Sequence, residues 1–292
     1  MQYIVFIWII QLTLSFCDKS SSNDVDGMKL AVKYSAARGL FGAGCAAAIA
    51  LFSGVGLGFD LPSFLCAFLF GTAIAIDLIN YLFLAKTGMV VLLSVINQAA
   101  SLIMPTVAGI IFFSKPVNPI QWLFVLTLLV AIYILCVSSR GIYRDFSFKT
   151  VIMLVIRFLA GGFGTMSMQT FAEVGNENTN LFLAVSYLIS AVLFFAVYPF
   201  MKGENENKRL KLSKRLIVFS FLASTLVFGA NFFTVMAARV LDPIIQFSLT
   251  AVGGIVLNLL LGAICFKEKI TVKSVAAITI AAISVVMINY FN

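Results

Sequence analysis

The 292-residue sequence contains no histidine, and only 11% of its residues are charged. Soluble domains carry about 25% charged residues, so this composition excludes a water-soluble enzyme and a nucleic-acid-binding domain. The missing histidine also removes the commonest acid–base group of active sites and the commonest metal ligand. The five cysteines stand singly at wide spacings, unlike those of zinc sites, iron–sulfur clusters or disulfide frameworks. We therefore expect no enzymatic activity, no bound metal, no cofactor and no nucleic-acid partner.

What the sequence has in abundance is apolar residues, which make up 61% of the chain and give a mean hydropathy of +1.06. About 20 apolar residues in succession are needed for a helix to cross a bilayer. Apolar runs bounded by glycine, proline, asparagine and charged residues predict ten such helices, of which the first is short. The predicted spans cover residues 3–17, 35–57, 62–84, 89–114, 119–138, 148–171, 181–201, 213–236, 243–266 and 271–291, with polar loops at 18–29 and 202–215. The expected fold class is an all-α polytopic protein of ten transmembrane helices embedded in a lipid bilayer.

The 20 Lys and Arg residues fall almost entirely on one side of these predicted spans. Loops after odd-numbered spans hold 17 of them, Arg38 included, whereas loops after even-numbered spans hold only Lys115 and Arg239. The remaining one, Arg157, lies inside a predicted span. Because cytoplasmic loops are enriched in Lys and Arg, we expect the odd-numbered loops in the cytoplasm and both termini outside. The predicted location is the inner or plasma membrane of the cell.

Two stretches about half a chain apart are similar to each other. Asn80 begins the tetrapeptide NYLF and Asn231 begins NFFT, and each tetrapeptide is followed by a basic residue and a long apolar helix. With five helices in each half, residues 1–139 and 140–292 would cross the membrane in opposite senses and form an inverted repeat. Inverted repeats are typical of alternating-access carriers, whose substrate sites lie near the midplane between the halves. Because one chain supplies both halves, a monomer and a homodimer both remain open.

With these features the chain resembles the drug/metabolite transporter superfamily, specifically its EamA-like branch, over essentially its whole length. The resemblance rests on the five-plus-five helices, on Pro105 within the long fourth predicted helix and on the sequence Phe-Lys-Glu at 266–268. It implies a secondary-active transporter that works by alternating access. That superfamily moves amino acids, drugs, sugars, nucleotide sugars and lipids on one scaffold, so the resemblance leaves the substrate open. The first half departs from the family pattern, because Ser114 and Lys115 stand where a Gly-Glu pair is common.

Polar residues recur at intervals of three and four along the fourth and ninth predicted helices, which places each set on one helix face. The two faces occupy equivalent positions when Lys115 is aligned with Lys267. The candidate residues are Ser94, Asn97, Gln98 and Ser101 on the fourth helix, and Gln246, Thr250 and Asn258 on the ninth. Matching polar faces in an apolar chain predict a shared substrate cavity at the repeat interface. The structural alternative is interhelical hydrogen bonding, worth about 0.6 kcal/mol for each bond.

Asp77 is the only acidic residue deep in a predicted span, and Asn80 lies one turn further along the same face. Asn231 occupies the corresponding place in the second half and is a further candidate. A carboxylate at the centre of a membrane helix costs about 2.5–3.5 kcal/mol, so Asp77 is expected to bind an ion or a proton, or else to form a structural pair. Arg157 could pair with Asp77, receive a substrate carboxylate or extend to lipid phosphate.

Together these observations predict a carrier for a small polar metabolite, with export of an amino acid or a similar solute as the leading hypothesis. Transport would be coupled to protons or to another ion. The mixture of an acid, an arginine, amides and hydroxyls suits a zwitterion better than a bulky hydrophobic cation. A flippase for a lipid or lipid precursor, a drug exporter of the same fold and a membrane accessory subunit without transport activity are the alternatives.

Overall fold

The described part of the computed structural model covers residues 2–25, 27–54, 58–85, 90–113, 118–120, 147–175, 178–200, 212–241, 243–265 and 272–291, with short groups between 122 and 134. Every regular element in these ranges is a helix. The long helices are α1 (Gln2–Asp24), α2 (Gly27–Phe52), α3 (Leu61–Ala85), α4 (Val90–Phe113), α5 (Phe148–Val174), α6 (Thr179–Val197), α7 (Lys214–Ala238), α8 (Pro243–Cys265) and α9 (Val272–Tyr290), and a 3₁₀ turn (Tyr198–Phe200) follows α6. The predicted all-α fold class is confirmed for this part of the chain.

Six of the helices in the described ranges are long and apolar enough to cross a bilayer. They are α1, α2, α3, α5, α7, and α6 together with its 3₁₀ turn. Large apolar side chains cover the outside of the bundle, and Phe52 and Phe148, for example, are 90% and 80% exposed. A surface of this kind is unfavourable in water and matches the hydrocarbon interior of a bilayer. The chain is therefore a helical membrane protein.

Three helices begin at side chains that cap their first turn. Ser147 before α5, Asn178 before α6 and Ser213 before α7 each accept a hydrogen bond from the backbone N–H three residues later, at 3.4, 3.0 and 3.2 Å. Such caps satisfy N–H groups that have no partner inside the helix. The local sequence thereby determines where these helices start.

Helices from the two halves of the chain pack mainly against each other. The most extensive contacts join α2 to α6, α3 to α5 and α1 to α7, and further contacts join α3 to α6, α2 to α7, α1 to α8, and α4 to both α5 and α8. Helices α1 and α7 run antiparallel. Their rings Phe6 and Phe233 stack at one end with centroids 5.2 Å apart, and Asp24 pairs with Arg215 at the other end at 3.2 Å.

Two apolar clusters fill the interior at opposite ends of the bundle. In the first cluster Phe182 stacks on Phe171 with ring centroids 4.0 Å apart and on Phe70 with ring centroids 5.7 Å apart. Tyr34 and Phe194 are the largest side chains of the second cluster. The polar interior of the protein lies between these two clusters.

The predicted polar loop at 18–29 is wrong. Helix α1 continues to Asp24, and α2 begins at Gly27, whose φ of 75° lies in the left-handed region that glycine adopts at little cost. Arg38, predicted to belong to this loop region, lies inside α2 and is only 7% exposed. The prediction failed because each charged residue was weighed alone, whereas in the fold Arg38 meets Asp18 and the two charges compensate each other.

The predicted spans after residue 61 agree with the described helices to within about four residues at each end. The span predicted at 35–57 is shifted instead, because α2 starts at Gly27 and ends at Phe52. The span predicted at 119–138 and most of the loop predicted at 202–215 lie outside the described residues.

Candidate functional site

A cavity of about 260 Å³ lies between the two apolar clusters. Side chains from all seven helices α1 to α7 line it, so residues distant in sequence meet at one place. The charged residues of the described wall are Asp18, Arg38, Asp77 and Arg157. Pockets for drug-sized molecules start at about 300 Å³, so this cavity is of a size for a small solute.

Asp18 on α1 and Arg38 on α2 form a buried ion pair. Arg38 Nη1 donates a hydrogen bond to Asp18 Oδ1 at 2.5 Å. The Arg38 side chain is 7% exposed and the Asp18 side chain is 12% exposed. The ring of Tyr34 lies 5.9 Å from the Arg38 guanidinium, and the Tyr34 hydroxyl donates to Ser21 Oγ at 2.9 Å. Ser224 on α7 donates to the backbone carbonyl of Arg38 at 2.8 Å. Three helices therefore hold this pair in place.

Asp77 on α3 and Arg157 on α5 form a second ion pair, which is less completely bonded. Arg157 Nη1 lies 2.9 Å from Asp77 Oδ1, and it donates a hydrogen bond to the backbone carbonyl of Asp77 at 3.4 Å. The Arg157 guanidinium also lies 4.8 Å from the centroid of the Tyr81 ring, within the range of a cation–π interaction. The Asp77 side chain is 29% exposed.

The cavity wall contains polar atoms that make no hydrogen bond to any described residue. They are Gln11 Oε1, Ser35 Oγ, Asp77 Oδ1 and Arg157 Nε. Buried polar atoms are nearly always bonded to protein, water or ligand, because leaving one unsatisfied costs about 1–3 kcal/mol. Residues of the wall thus carry acceptors and a guanidinium donor whose bonding capacity no described residue uses.

The two ion pairs are close enough to act on each other. Asp77 interacts electrostatically with both Asp18 and Arg38, and Asp18 interacts in turn with Arg157. Two carboxylates and two guanidinium groups together carry no net charge. The described wall is therefore strongly polar and electrically neutral overall.

The uncharged part of the wall includes the amide side chains of Asn97, Gln98 and Asn231. Asn231 Nδ2 on α7 donates to the hydroxyl of Tyr187 on α6 at 2.9 Å. Asn97 on α4 lies directly against Gly161 on α5, where a Cβ atom would collide with Asn97 Oδ1. The absence of a side chain at Gly161 thus creates the space that Asn97 occupies.

The structure brings together part of the set of residues predicted from the sequence. The predicted residues that line the cavity are Asp77, Asn97, Gln98, Arg157 and Asn231. The pairing of Arg157 with Asp77, one of the alternatives left open by the sequence, is present.

Other predicted site residues are placed outside the described cavity wall. They are Asn80, Ser101, Gln246 and Thr250, each of which donates to a backbone carbonyl, at 2.8, 2.8, 2.7 and 2.9 Å respectively. Three of these bonds stay within one helix, and the bond from Gln246 reaches Thr234 on α7. The interhelical hydrogen bonding that was the structural alternative is therefore present for Gln246, whereas the hydroxyl and amide groups of the other three bond within their own helices. The side chains of Ser94 and Asn258 lie outside the described part of the structure.

Asp18 and Arg38 are the charged cavity residues that sequence reasoning missed. Asp18 was assigned to the predicted loop at 18–29, and Arg38 was counted with the basic residues of that loop although it lies at the start of the predicted span 35–57. A usable signal was present, since an acid and an arginine on consecutive membrane helices commonly pair with each other. Among the residues that the structure describes, no three His, Cys, Asp or Glu side chains gather as a potential metal site.

No protein-family model matches this chain, and no curated protein matches it in sequence. A solved structure titled "Crystal structure of protein" is similar to it in fold, with a TM-score of 0.65. The match covers 98% of this chain and 93% of that chain, at 14% sequence identity. At this identity the similarity shows a common fold and carries no information on function.

Proposed function

We propose that this protein is a secondary-active transporter of a small polar metabolite, working by alternating access in the cell membrane. The observation that carries the proposal is a small cavity inside a bundle of membrane-crossing helices, lined by two acid–arginine pairs. Ionisable groups inside a membrane bundle are costly, and they commonly mark substrate or ion pathways. The unsatisfied polar atoms of the wall add the bonding capacity that a solute site needs.

The helix contacts support an architecture of two inverted repeats, residues 1–139 and 140–292. If α1 to α4 correspond to α5 to α8 in order, the contact of α1 with α7 corresponds to that of α5 with α3. By the same rule α2 with α7 corresponds to α6 with α3, and α1 with α8 corresponds to α5 with α4. Helices α2 and α4 each contact their own counterparts, as expected near a pseudo-two-fold axis. These correspondences favour ten helices arranged as five plus five and a relationship to the EamA-like branch of the drug/metabolite transporters.

The proposed topology places both termini outside the cell. Removing the buried Arg38 from the charge count leaves 16 basic residues on the proposed cytoplasmic side against two on the other. In this orientation Gln2 of α1 faces outward, and the Asp24–Arg215 pair lies at the cytoplasmic end of the bundle. Export of an amino acid or a similar metabolite, coupled to protons or another ion, is the activity that we propose for this topology.

Binding and transport suit the cavity better than catalysis. Its four charged groups neutralise one another in pairs, and the sequence has no histidine for general acid–base chemistry.

The test compares metabolites inside and outside cells that overproduce the wild type, the Asp77→Asn variant or no transporter. We expect at least one polar solute to move with the wild type and not with Asp77→Asn. Asp24→Asn is the matched control, because Asp24 also pairs with an arginine but lies outside the described cavity wall. If the wild type is present in the membrane and no polar metabolite differs from the vector control, the proposal is wrong, and lipid translocation becomes the activity to measure.

A further inference from the structure

The two ion pairs in the cavity differ in how much of their bonding capacity is already used. Arg38 and Asp18 share an aligned hydrogen bond, and Ser224 holds the Arg38 backbone from a third helix. Arg157 Nη1 lies 2.9 Å from Asp77 Oδ1, and Arg157 Nε has no hydrogen-bond partner among the described residues. The second pair is also the more accessible, because the Asp77 side chain is 29% exposed whereas that of Asp18 is 12% exposed.

The free atoms of the second pair are suited to two different groups of a ligand. Arg157 is 6% exposed, and its Nε has no hydrogen-bond partner among the described residues. A guanidinium presents parallel N–H groups that fit a carboxylate through two bonds. The Asp77 side chain is 29% exposed, and a carboxylate oxygen accepts readily from an ammonium group.

The neutrality of the wall limits the net charge of the ligand. A solute with one positive or one negative charge would leave an uncompensated charge inside the membrane, which is unfavourable where the dielectric constant is low. A solute with one charge of each sign adds no net charge and can satisfy both free groups. Gln11 Oε1 and Ser35 Oγ, also without described partners, supply two further contacts in the same wall.

We propose that the substrate is a zwitterion with a carboxylate and an ammonium group on neighbouring atoms, and that it binds by replacing the Asp77–Arg157 contact. Its carboxylate binds Arg157, its ammonium group binds Asp77, and the Asp18–Arg38 pair stays closed. Binding replaces the Asp77–Arg157 ion pair by two ion pairs between protein and ligand, so neither Asp77 nor Arg157 is left without an opposite charge. This inference rests on the proposed transport function and names the substrate class and the residues that recognise it.

The first experiment measures binding to the purified full chain in lipid nanodiscs by ligand-induced shifts of the melting temperature. The probes are the twenty common amino acids, followed by the deaminated acid and the decarboxylated amine of the amino acid that binds best. Because each charge-assisted hydrogen bond contributes substantially to affinity, we expect each analogue to bind about 10- to 100-fold more weakly than the amino acid. An analogue that binds as tightly as the amino acid overturns the inference.

The second experiment assigns the two charges of the ligand to the two residues. The deaminated acid lacks the ammonium group that Asp77 is proposed to bind, so Asp77→Asn should bind the amino acid and its deaminated acid equally well. The same variant should still bind the amino acid more tightly than the decarboxylated amine, because Arg157 is unchanged. In Arg157→Gln the reverse is expected, and Arg157→Lys should keep a weakened preference over the amine because the positive charge is retained. A merely structural role predicts an equal loss for all three probes, and that result would contradict the assignment. Asp24→Asn, with its pair outside the described wall, is the control and should bind like the wild type.

Transport into proteoliposomes separates failure of this inference from failure of the proposed function. The assay offers a neutral sugar, a monovalent amine, a monovalent carboxylate and the amino acids to the wild-type protein. Saturable movement of an amino acid supports both proposals. Movement of a singly charged or uncharged solute without any amino acid leaves the carrier function standing and overturns the zwitterion site. Absence of saturable movement for every class contradicts the carrier function itself.

Discussion

Ser224 on α7 donates a hydrogen bond to the backbone carbonyl of Arg38 on α2, with an oxygen–oxygen distance of 2.8 Å. The two residues are 186 positions apart in the chain. The Ser224 hydroxyl also lies within bonding distance of the carbonyl of Ser220, one turn earlier in its own helix. A helix from the second half of the chain thereby helps to fix the backbone from which Arg38 reaches Asp18.

Replacing Ser224 by alanine removes this link between α7 and α2. We expect the free energy of unfolding to fall by about 0.6 kcal/mol, the average for a hydrogen bond between membrane helices. Unfolding by denaturing detergent measures the change. Ser220→Ala is the control, because the Ser220 hydroxyl bonds only within its own helix, to the carbonyl of Ile217 at 2.8 Å. An equal loss in both variants would mean that the interhelical bond contributes nothing of its own.

Breaking the Asp18–Arg38 pair on one side should destabilise the protein strongly. In Asp18→Asn the buried guanidinium of Arg38 loses its counter-charge, and we expect a loss of about 3–5 kcal/mol in the free energy of unfolding. The double variant Asp18→Asn/Arg38→Gln should recover most of that loss, because no unpaired charge remains. A double-mutant cycle in the unfolding assay measures the coupling, and additive effects would show that the two side chains do not interact.

The exposed Asp24–Arg215 pair provides a contrasting case. The Asp24 and Arg215 side chains are 30% and 62% exposed, and pairs near the surface contribute about 0–1 kcal/mol because the surrounding water screens their attraction. We expect Asp24→Asn to leave the free energy of unfolding almost unchanged. A loss as large as that of Asp18→Asn would indicate that burial does not control the strength of these pairs.

Two glycines of α5 face the cavity with different amounts of space around them. A Cβ atom at Gly161 would collide with Asn97, whereas a Cβ atom at Gly164 would stay 3.5 Å from Ala73 and Phe70. We expect Gly161→Ala to displace Asn97 and reduce transport at least several-fold. Gly164→Ala should retain transport and gain up to about 1 kcal/mol in stability from its better helix propensity. Transport and unfolding measured side by side check this, and equal transport in the two variants would argue against a role for the Asn97 position.

The proposed topology makes a labelling prediction at the two ends of the antiparallel pair α1 and α7. In a chain whose five cysteines have been replaced, a new cysteine at Gln2 should react with a membrane-impermeant maleimide on intact cells. A cysteine at Lys214 should react only after the membrane is opened. Both positions are solvent-exposed in the structure, so accessibility does not bias the comparison. The opposite pattern would reverse the orientation inferred from the basic residues.

The hydropathy of the sequence was enough to place most helices, but it misplaced the ends of α1 and α2. Helix α2 has 26 residues and is about 39 Å long, so it extends beyond the hydrocarbon layer of about 30 Å. Lys29 and Lys33 lie in its first turns, where a hydropathy window registers a loop. Where a capping residue was present, as at Ser147, the predicted start at 148 and the observed start of α5 coincide.

For the cavity, the periodicity of polar residues identified a polar face on α4, but it did not show which groups of the fold that face meets. Asn97 and Gln98 line the cavity as expected, whereas the Ser101 hydroxyl bonds to the carbonyl of Gln98 in its own helix. On α8, Gln246 reaches a carbonyl of α7. A sequence pattern shows which residues share a face, but only the packing of helices determines whether that face meets a cavity or a neighbouring backbone.

The two ion pairs also differ in when each becomes possible during synthesis. Asp18 and Arg38 are 20 residues apart on consecutive helices, so they can neutralise each other as soon as α1 and α2 have left the ribosome. Asp77 and Arg157 are 80 residues apart. Because chains emerge from the N-terminus, α3 must enter the membrane with an acid whose counter-charge has not yet been made. The acid that we propose for substrate recognition is therefore also the one that α3 carries into the bilayer before its arginine partner on α5 has been made.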